Sequence, residues 1–138
     1  MKYNKKIVFT NGCFDIIHVG HIKLLEKAKS FGDYLIVGLN SDKSVKMLKG
    51  EGRPYNNEKD RKFVLESIKY VDKVLIFDEK TPSLLIEKIK PDVLVKGGDY
   101  TIETIVGADF VLNSGGEVKI VPILEGFSST KYIEKLEK

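Results

Sequence analysis

Apolar residues along the chain fall into two alternating patterns. Short runs rich in β-branched residues recur at Lys6–Thr10, Tyr34–Leu39, Val74–Phe77, Val93–Val95 and Val118–Val121. They are apolar enough to be buried on both faces of a sheet. Between them, apolar residues return at helical spacing. Ile22, Leu25 and Ala28 mark a first helix, with Gly32 as its candidate C-cap. Asn56 or Asn57 is placed to cap a second helix, whose inward stripe is Val64, Leu65 and Ile68. Pro82 suits the start of a helix running to about Lys90. Another covers about Ala108–Asn113 and ends at Gly115-Gly116, and Ser129 can cap a last one with Ile133 and Leu136 inward. Strand–helix alternation of this kind predicts an α/β fold: a doubly wound, Rossmann-like, five-stranded parallel sheet with helices on both faces. Lys49–Asn56, with its glycines, proline and charges, reads as a mobile loop.

Composition narrows the picture without redrawing it. The chain has 138 residues, enough for one domain with a proper core, so residues 1–138 are expected to form a single domain. No apolar run approaches a membrane span, and the first residues carry no signal-peptide core. With a lone cysteine, Cys13, no internal disulfide can form, and a cytoplasmic location is expected. The net charge of +3 is mild and the lysines are dispersed, which fits anionic small molecules better than nucleic acid or membrane. Of 23 basic residues only Arg53 and Arg61 are arginine, and they lie close together. Arginine is the better bidentate ligand for phosphate.

In doubly wound sheets ligands bind beyond the carboxyl ends of the strands, at the switch point. Four polar or glycine-rich segments fall there: Asn11–Asp15, Asn40–Asp42, Lys96–Asp99 and Gly126–Thr130. The only two histidines, His18 and His21, stand three apart where the first helix should begin, so they share a helix face. Gly20 between them allows close backbone approach, and a helix start offers unpaired N–H groups and a positive dipole end. Together these predict a phosphate site. A zinc site is disfavoured, because no third histidine and only one cysteine are available.

Thr10-Asn11-Gly12-Cys13-Phe14-Asp15-Ile16-Ile17-His18-Val19-Gly20-His21 resembles the signature of the HxGH nucleotidyltransferase superfamily, in its cytidylyltransferase-like branch. Gly126-Phe127-Ser128-Ser129-Thr130-Lys131 resembles that superfamily's second motif. Along nearly the whole chain the match is to the heptose-1-phosphate adenylyltransferases, through Val37–Asp42, Arg53-Pro54, Asp60-Arg61, Pro91–Tyr100 and Ile105–Ala108. Those domains are often fused behind a sugar kinase, and this chain looks like the stand-alone form. Glycerol-3-phosphate cytidylyltransferases, which use CTP, share the early signature and the setting of Arg61. They are the alternative.

The resemblance implies that AMP passes from ATP to a sugar 1-phosphate of the heptose type, releasing pyrophosphate and forming ADP-heptose, with Mg²⁺ carried mainly by the triphosphate. Thr10, Asn11, Gly12, Cys13 and Phe14 would cradle the nucleotide, with Gly20, Asn40, Asp42, Lys96, Gly97 and Asp99 contributing around it. His18 and His21 would contact the phosphates, and Ser128, Ser129 and Thr130 would hold the β- and γ-phosphates. Lys46, Arg53 and Arg61 would meet the acceptor, with Lys46 and Arg61 also counted in catalysis. A homodimer is expected from the superfamily. Residue patterning speaks to some of these roles independently. Arg61 heads the apolar stripe of its helix, so it must reach solvent past the core edge or find a partner, either a bound phosphate or a structural carboxylate. Cys13 has no obvious base beside it and reads as a space-filling neighbour. A binding module without turnover is the competing class, and the sequence lacks an aromatic platform for RNA.

Overall fold

The computed structural model describes residues 5–98 and 100–122. The helix expected from Ser129 lies outside them. Five strands, β1 (Ile7–Gly12), β2 (Tyr34–Asn40), β3 (Lys73–Phe77), β4 (Val93–Gly97) and β5 (Glu117–Val121), form one parallel sheet in the order β3-β2-β1-β4-β5. Helices α1 (Val19–Ser30), α2 (Asp42–Lys49), α3 (Glu58–Glu66), α4 (Ser83–Ile89) and α5 (Ala108–Asn113) connect them, with a 3₁₀ turn at Ile102–Thr104. The doubly wound sheet is therefore as expected.

Period-two alternation divides each central strand between two cores. Val8, Leu35, Val37 and Val93 pack with Leu25 and Ala28 of α1 and Leu65 of α3. Their neighbours Phe9, Ile36 and Leu94 pack on the opposite face with Ile86 of α4 and with Ala108 and Val111 of α5. Gly38 is what lets Phe9 lie flat in the second core: a Cβ there would meet the Phe9 ring at 2.6 Å. All strands run the same way, but the order in which they are added reverses between β1 and β4, which sets the switch point. β1 pairs with β2 over six residues but with β4 only at Val8 and Phe9, so the two strands part just below their carboxyl ends.

Several elements differ from expectation, and three of the differences bear on the site. β1 runs two residues further, because Asn11 and Gly12 pair with Gly38 and Leu39. An additional short helix, α2, occupies Asp42–Lys49, with the Ser41 hydroxyl accepting the Ser44 N–H at 3.1 Å. The third difference lies in α3. Leu65 is buried, but Val64 is 46% exposed and Phe63 is 70% exposed. The inward face of α3 is thus Arg61 and Leu65, one turn apart, not the Val64–Leu65 pair. This register predicts that Leu65→Ala costs about 2–5 kcal/mol while Val64→Ala costs under about 1 kcal/mol in denaturant unfolding. Equal costs would place both side chains in the core.

Candidate active site

The expected segments after β1, β2 and β4 meet at the carboxyl edge of the sheet. A cavity of about 510 Å³ opens there, within the range of small-molecule sites. Leu94 and Val95 from β4, with Ile105 and Val106 beyond the 3₁₀ turn, form its apolar side. Asn11, Gly12, Cys13 and Asn40 border it from β1 and β2. Lys49, Lys80 and Lys96 bring positive charge, and the Lys96 ammonium lies 4.9 Å from the centre of the Tyr100 ring. Asp99, Ser128, Ser129 and Thr130 lie outside the described residues.

His18 and His21 build the start of α1 by reciprocal capping. His18 Nδ1 accepts the Gly20 N–H at 3.1 Å, and His21 Nδ1 accepts the His18 N–H at 3.2 Å. A neutral ring that accepts at Nδ1 carries its proton on Nε2. Both imidazoles are therefore set as Nε2–H donors, with ring centres 4.0 Å apart. The Phe14 ring packs against His21 with centres 5.3 Å apart, and Phe14 holds a positive φ of 45° to make that turn. Burial lowers the pKa of both histidines. For His21 it falls to about 4, through desolvation first and then the positive charges of His18 and Lys49. Near neutral pH, then, both rings are uncharged at a helix end that is itself positive.

Two buried charges hold the loop that carries these histidines. Asp15 is 2% exposed; its carboxylate accepts the Tyr55 N–H at 2.8 Å and the Asn56 N–H at 2.9 Å. Asn56 Nδ2 donates to the Asp15 carbonyl in return. The second half of the glycine-rich loop is thus tied down, where sequence suggested mobility throughout. Arg61 is 1% exposed and donates to the carbonyls of Asn56, Cys13 and Asn40 and to Asp42 Oδ1, at 2.7–2.9 Å. The structural carboxylate is the partner it finds. Asp42 and Asn40 are drawn into this frame, Asn40 also donating to Ser44 Oγ.

Lys46 is exposed on α2 and does not border the cavity; Lys49, one turn on, does. Lys49, Lys80 and Thr81 were not singled out by sequence, because α2 was not foreseen and lysines are common in this chain. Thr10 is buried at the end of β1. The Cys13 thiol has its pKa raised, desolvation outweighing the nearby cations, so it stays protonated and fits the space-filling reading. Among the described residues no group of three or more potential metal ligands occurs, and no helix is long and apolar enough to cross a membrane.

Residues 9–135 match the family model for cytidylyltransferase-like proteins, and the chain belongs to that family. Among its relatives, the bifunctional protein HldE of Koribacter versatilis is 61% identical over 132 residues, covering 96% of this chain and 27% of that protein. The Campylobacter jejuni subsp. jejuni protein of the same name is 59% identical over 134 residues, covering 97% of this chain and 28% of that one. This chain thus spans little more than a quarter of those relatives. A crystal structure described as a lipopolysaccharide core biosynthesis protein from Thermoplasma volcanium superposes with a TM-score of 0.69 at 30% identity, covering 88% of this chain and 98% of that one.

The depressed histidine pKa values carry a linked effect on stability. Between about pH 4 and 6.5 the unfolded chain binds a proton at His21 that the folded chain does not. Stability is complete above about pH 6.5 and falls as pH drops toward 4, by on the order of 3 kcal/mol at most. Unfolding curves across that window check this, and His21→Asn is expected to flatten the slope. An unchanged slope would mean that His21 titrates normally.

Proposed function

We propose that this chain transfers AMP from ATP to heptose 1-phosphate, releasing pyrophosphate and yielding ADP-heptose. The observation that carries the chemistry is the pair of cap-locked imidazoles, whose rings lie 4.0 Å apart at the start of α1 with their protons on Nε2. Support for the acceptor comes from the likeness to heptose-1-phosphate adenylyltransferases along the motifs, from the name HldE borne by its relatives, and from the structural neighbour's lipopolysaccharide description.

An oxygen of the sugar 1-phosphate attacks the α-phosphorus of ATP in line. The bond from that phosphorus to the bridging oxygen of the β-phosphate breaks, and pyrophosphate leaves with the electron pair. The protein forms no covalent bond. Its work is positioning and charge stabilisation. His18 and His21 donate to phosphate oxygens, and the dipole of α1 adds to their field. Because the rings are neutral and fixed before substrate arrives, little reorganisation is needed at the moment of transfer. Lys49 and Lys96 flank the cavity as countercharges for the polyphosphate. The apolar side formed by Leu94, Val95, Ile105 and Val106 is suited to the base. Mg²⁺, held mainly by the triphosphate's own oxygens, would neutralise charge on the leaving pyrophosphate.

A pyrophosphate-release panel tests the reading by crossing ATP and CTP with heptose 1-phosphate and glycerol 3-phosphate. Release is expected with ATP and heptose 1-phosphate together, and His18→Ala or His21→Ala is expected to lower turnover about 10²- to 10³-fold with the fold retained. Preference for CTP with glycerol 3-phosphate would favour the cytidylyltransferase alternative. Near-wild-type turnover in both variants would sink the mechanism.

A further inference from the structure

None of the three side chains that the resemblance gives to the acceptor borders the cavity of about 510 Å³. Lys46 is exposed on α2, Arg61 is bonded to the protein, and Arg53 donates to Asp15. The lining of the cavity comes instead from the ends of four strands, β3, β2, β1 and β4 in sheet order. Neighbouring strands lie about 4.8 Å apart, so its floor runs for roughly 14 Å along the edge of the sheet. The apolar surface suited to a base occupies the β4 end. The other end belongs to Lys80 and Thr81, both exposed on the loop between β3 and α4. That loop is tied down on both sides of the pair. Before it, the Phe77 carbonyl accepts the Ser41 N–H at 2.9 Å; after it, the Pro82 carbonyl accepts the Ile86 N–H at 2.9 Å. Between these ties a buried polar chain reaches the loop from β2 and α2. Asn40 Nδ2 donates to Ser44 Oγ at 2.9 Å, and the Ser44 hydroxyl donates to the Glu79 carbonyl at 2.6 Å. Ser44 is fully buried, and a buried hydroxyl is costly unless its bonds are made. Here they hold Lys80 and Thr81 at the rim of the cavity, on the side of Asn40.

We propose that Lys80 and Thr81 hold the sugar body of the acceptor through its hydroxyl groups, with Ser44 as the residue that positions their loop. The inference rests on the transferase reading and deepens it. The side of the cavity decides between donor and acceptor. The loop that carries His18 and His21 follows β1, in the middle of the sheet. With transfer placed there and the base over β4, the acceptor's sugar extends toward β2 and β3. The chemistry of the pair suits it: a threonine hydroxyl both donates and accepts, and a lysine ammonium donates up to three times to hydroxyl oxygens. From β1 to β3 is about 10 Å. The pair therefore reads the far end of a long polyol, and a three-carbon acceptor stops short of it. Lys80 and Thr81 thus select among sugar phosphates, while the phosphate-facing groups serve them all alike.

The experiment measures KM for heptose 1-phosphate and for ATP, with a thermal midpoint, in wild type, Lys80→Met, Thr81→Val, Thr81→Ser and Ser44→Ala. The acceptor KM is expected to rise about 10-fold in Lys80→Met and about 3- to 10-fold in Thr81→Val and Ser44→Ala. Thr81→Ser, which keeps the hydroxyl, should stay close to wild type, and the ATP KM should stay within about twofold throughout. An unchanged acceptor KM in either Lys80→Met or Thr81→Val, or an ATP KM that rises in step, would overturn the assignment. An unchanged acceptor KM in Ser44→Ala would remove Ser44 from it. If Ser44→Ala does not fold, Ser44→Cys, which keeps a weaker donor, is read in the same way. If the wild-type chain turns over no heptose 1-phosphate, the transferase reading fails separately. Calorimetric titration of heptose 1-phosphate into wild type and Lys80→Met, each saturated with the α,β-methylene analogue of ATP, then reads the site without turnover. Weaker binding in the variant supports the assignment; equal binding, or none in wild type, overturns it.

Discussion

The buried guanidinium of Arg61 is the constraint on which the site depends. With one side chain it closes the carbonyls of Cys13, Asn40 and Asn56 and the carboxylate of Asp42. Those groups belong to the end of β1, the end of β2, the start of α2 and the loop before α3. Without it, three carbonyls would lose a charged donor at the edge of the sheet, and Asp42, whose side chain is 38% exposed, would turn to solvent. Asp15 makes the complementary tie with opposite charge, taking N–H groups where Arg61 takes carbonyls. Between them the two residues fix the path from Cys13 to His18 and thereby the start of α1.

On that frame, the histidines do two jobs with one arrangement. Each Nδ1 caps the helix, which settles the tautomer with the ring proton on Nε2. Desolvation keeps both rings neutral, and at His21 nearby positive charge adds to it. A neutral donor keeps its proton at working pH and still presents it to an anion. In the proposed reaction a bound triphosphate would favour the protonated ring and draw the pKa back up.

Much of this was legible in the sequence because it rests on periodicity. The five strands, the sheet order's switch point and the convergence of three polar segments follow from runs such as Val8-Phe9 and Leu35-Ile36, where neighbours serve opposite cores. Helix α2 was not legible, since its only buried residues are Ser44 and Val45 and its ends read as turn formers. The face of α3 was misjudged by one residue: Val64 and Leu65 are equally apolar, and only packing separates them. Lys49 escaped notice for the same reason as α2. Arg61 was recognised as needing a partner, but no pattern could choose between phosphate and protein. That choice belongs to tertiary geometry, which brings Asp42 and three carbonyls within reach.

The central claim, that an acceptor phosphate attacks the α-phosphorus, is tested most directly by an isotope trace. Heptose 1-phosphate labelled with ¹⁸O in its non-bridging phosphate oxygens is turned over with unlabelled ATP, and the product is read by ³¹P NMR. One ¹⁸O should appear in the bridge between the two phosphorus atoms of the nucleotide sugar, with the released pyrophosphate unlabelled. Inorganic phosphate or AMP carrying solvent oxygen, with no label in a bridging position, would show hydrolysis instead and contradict the account.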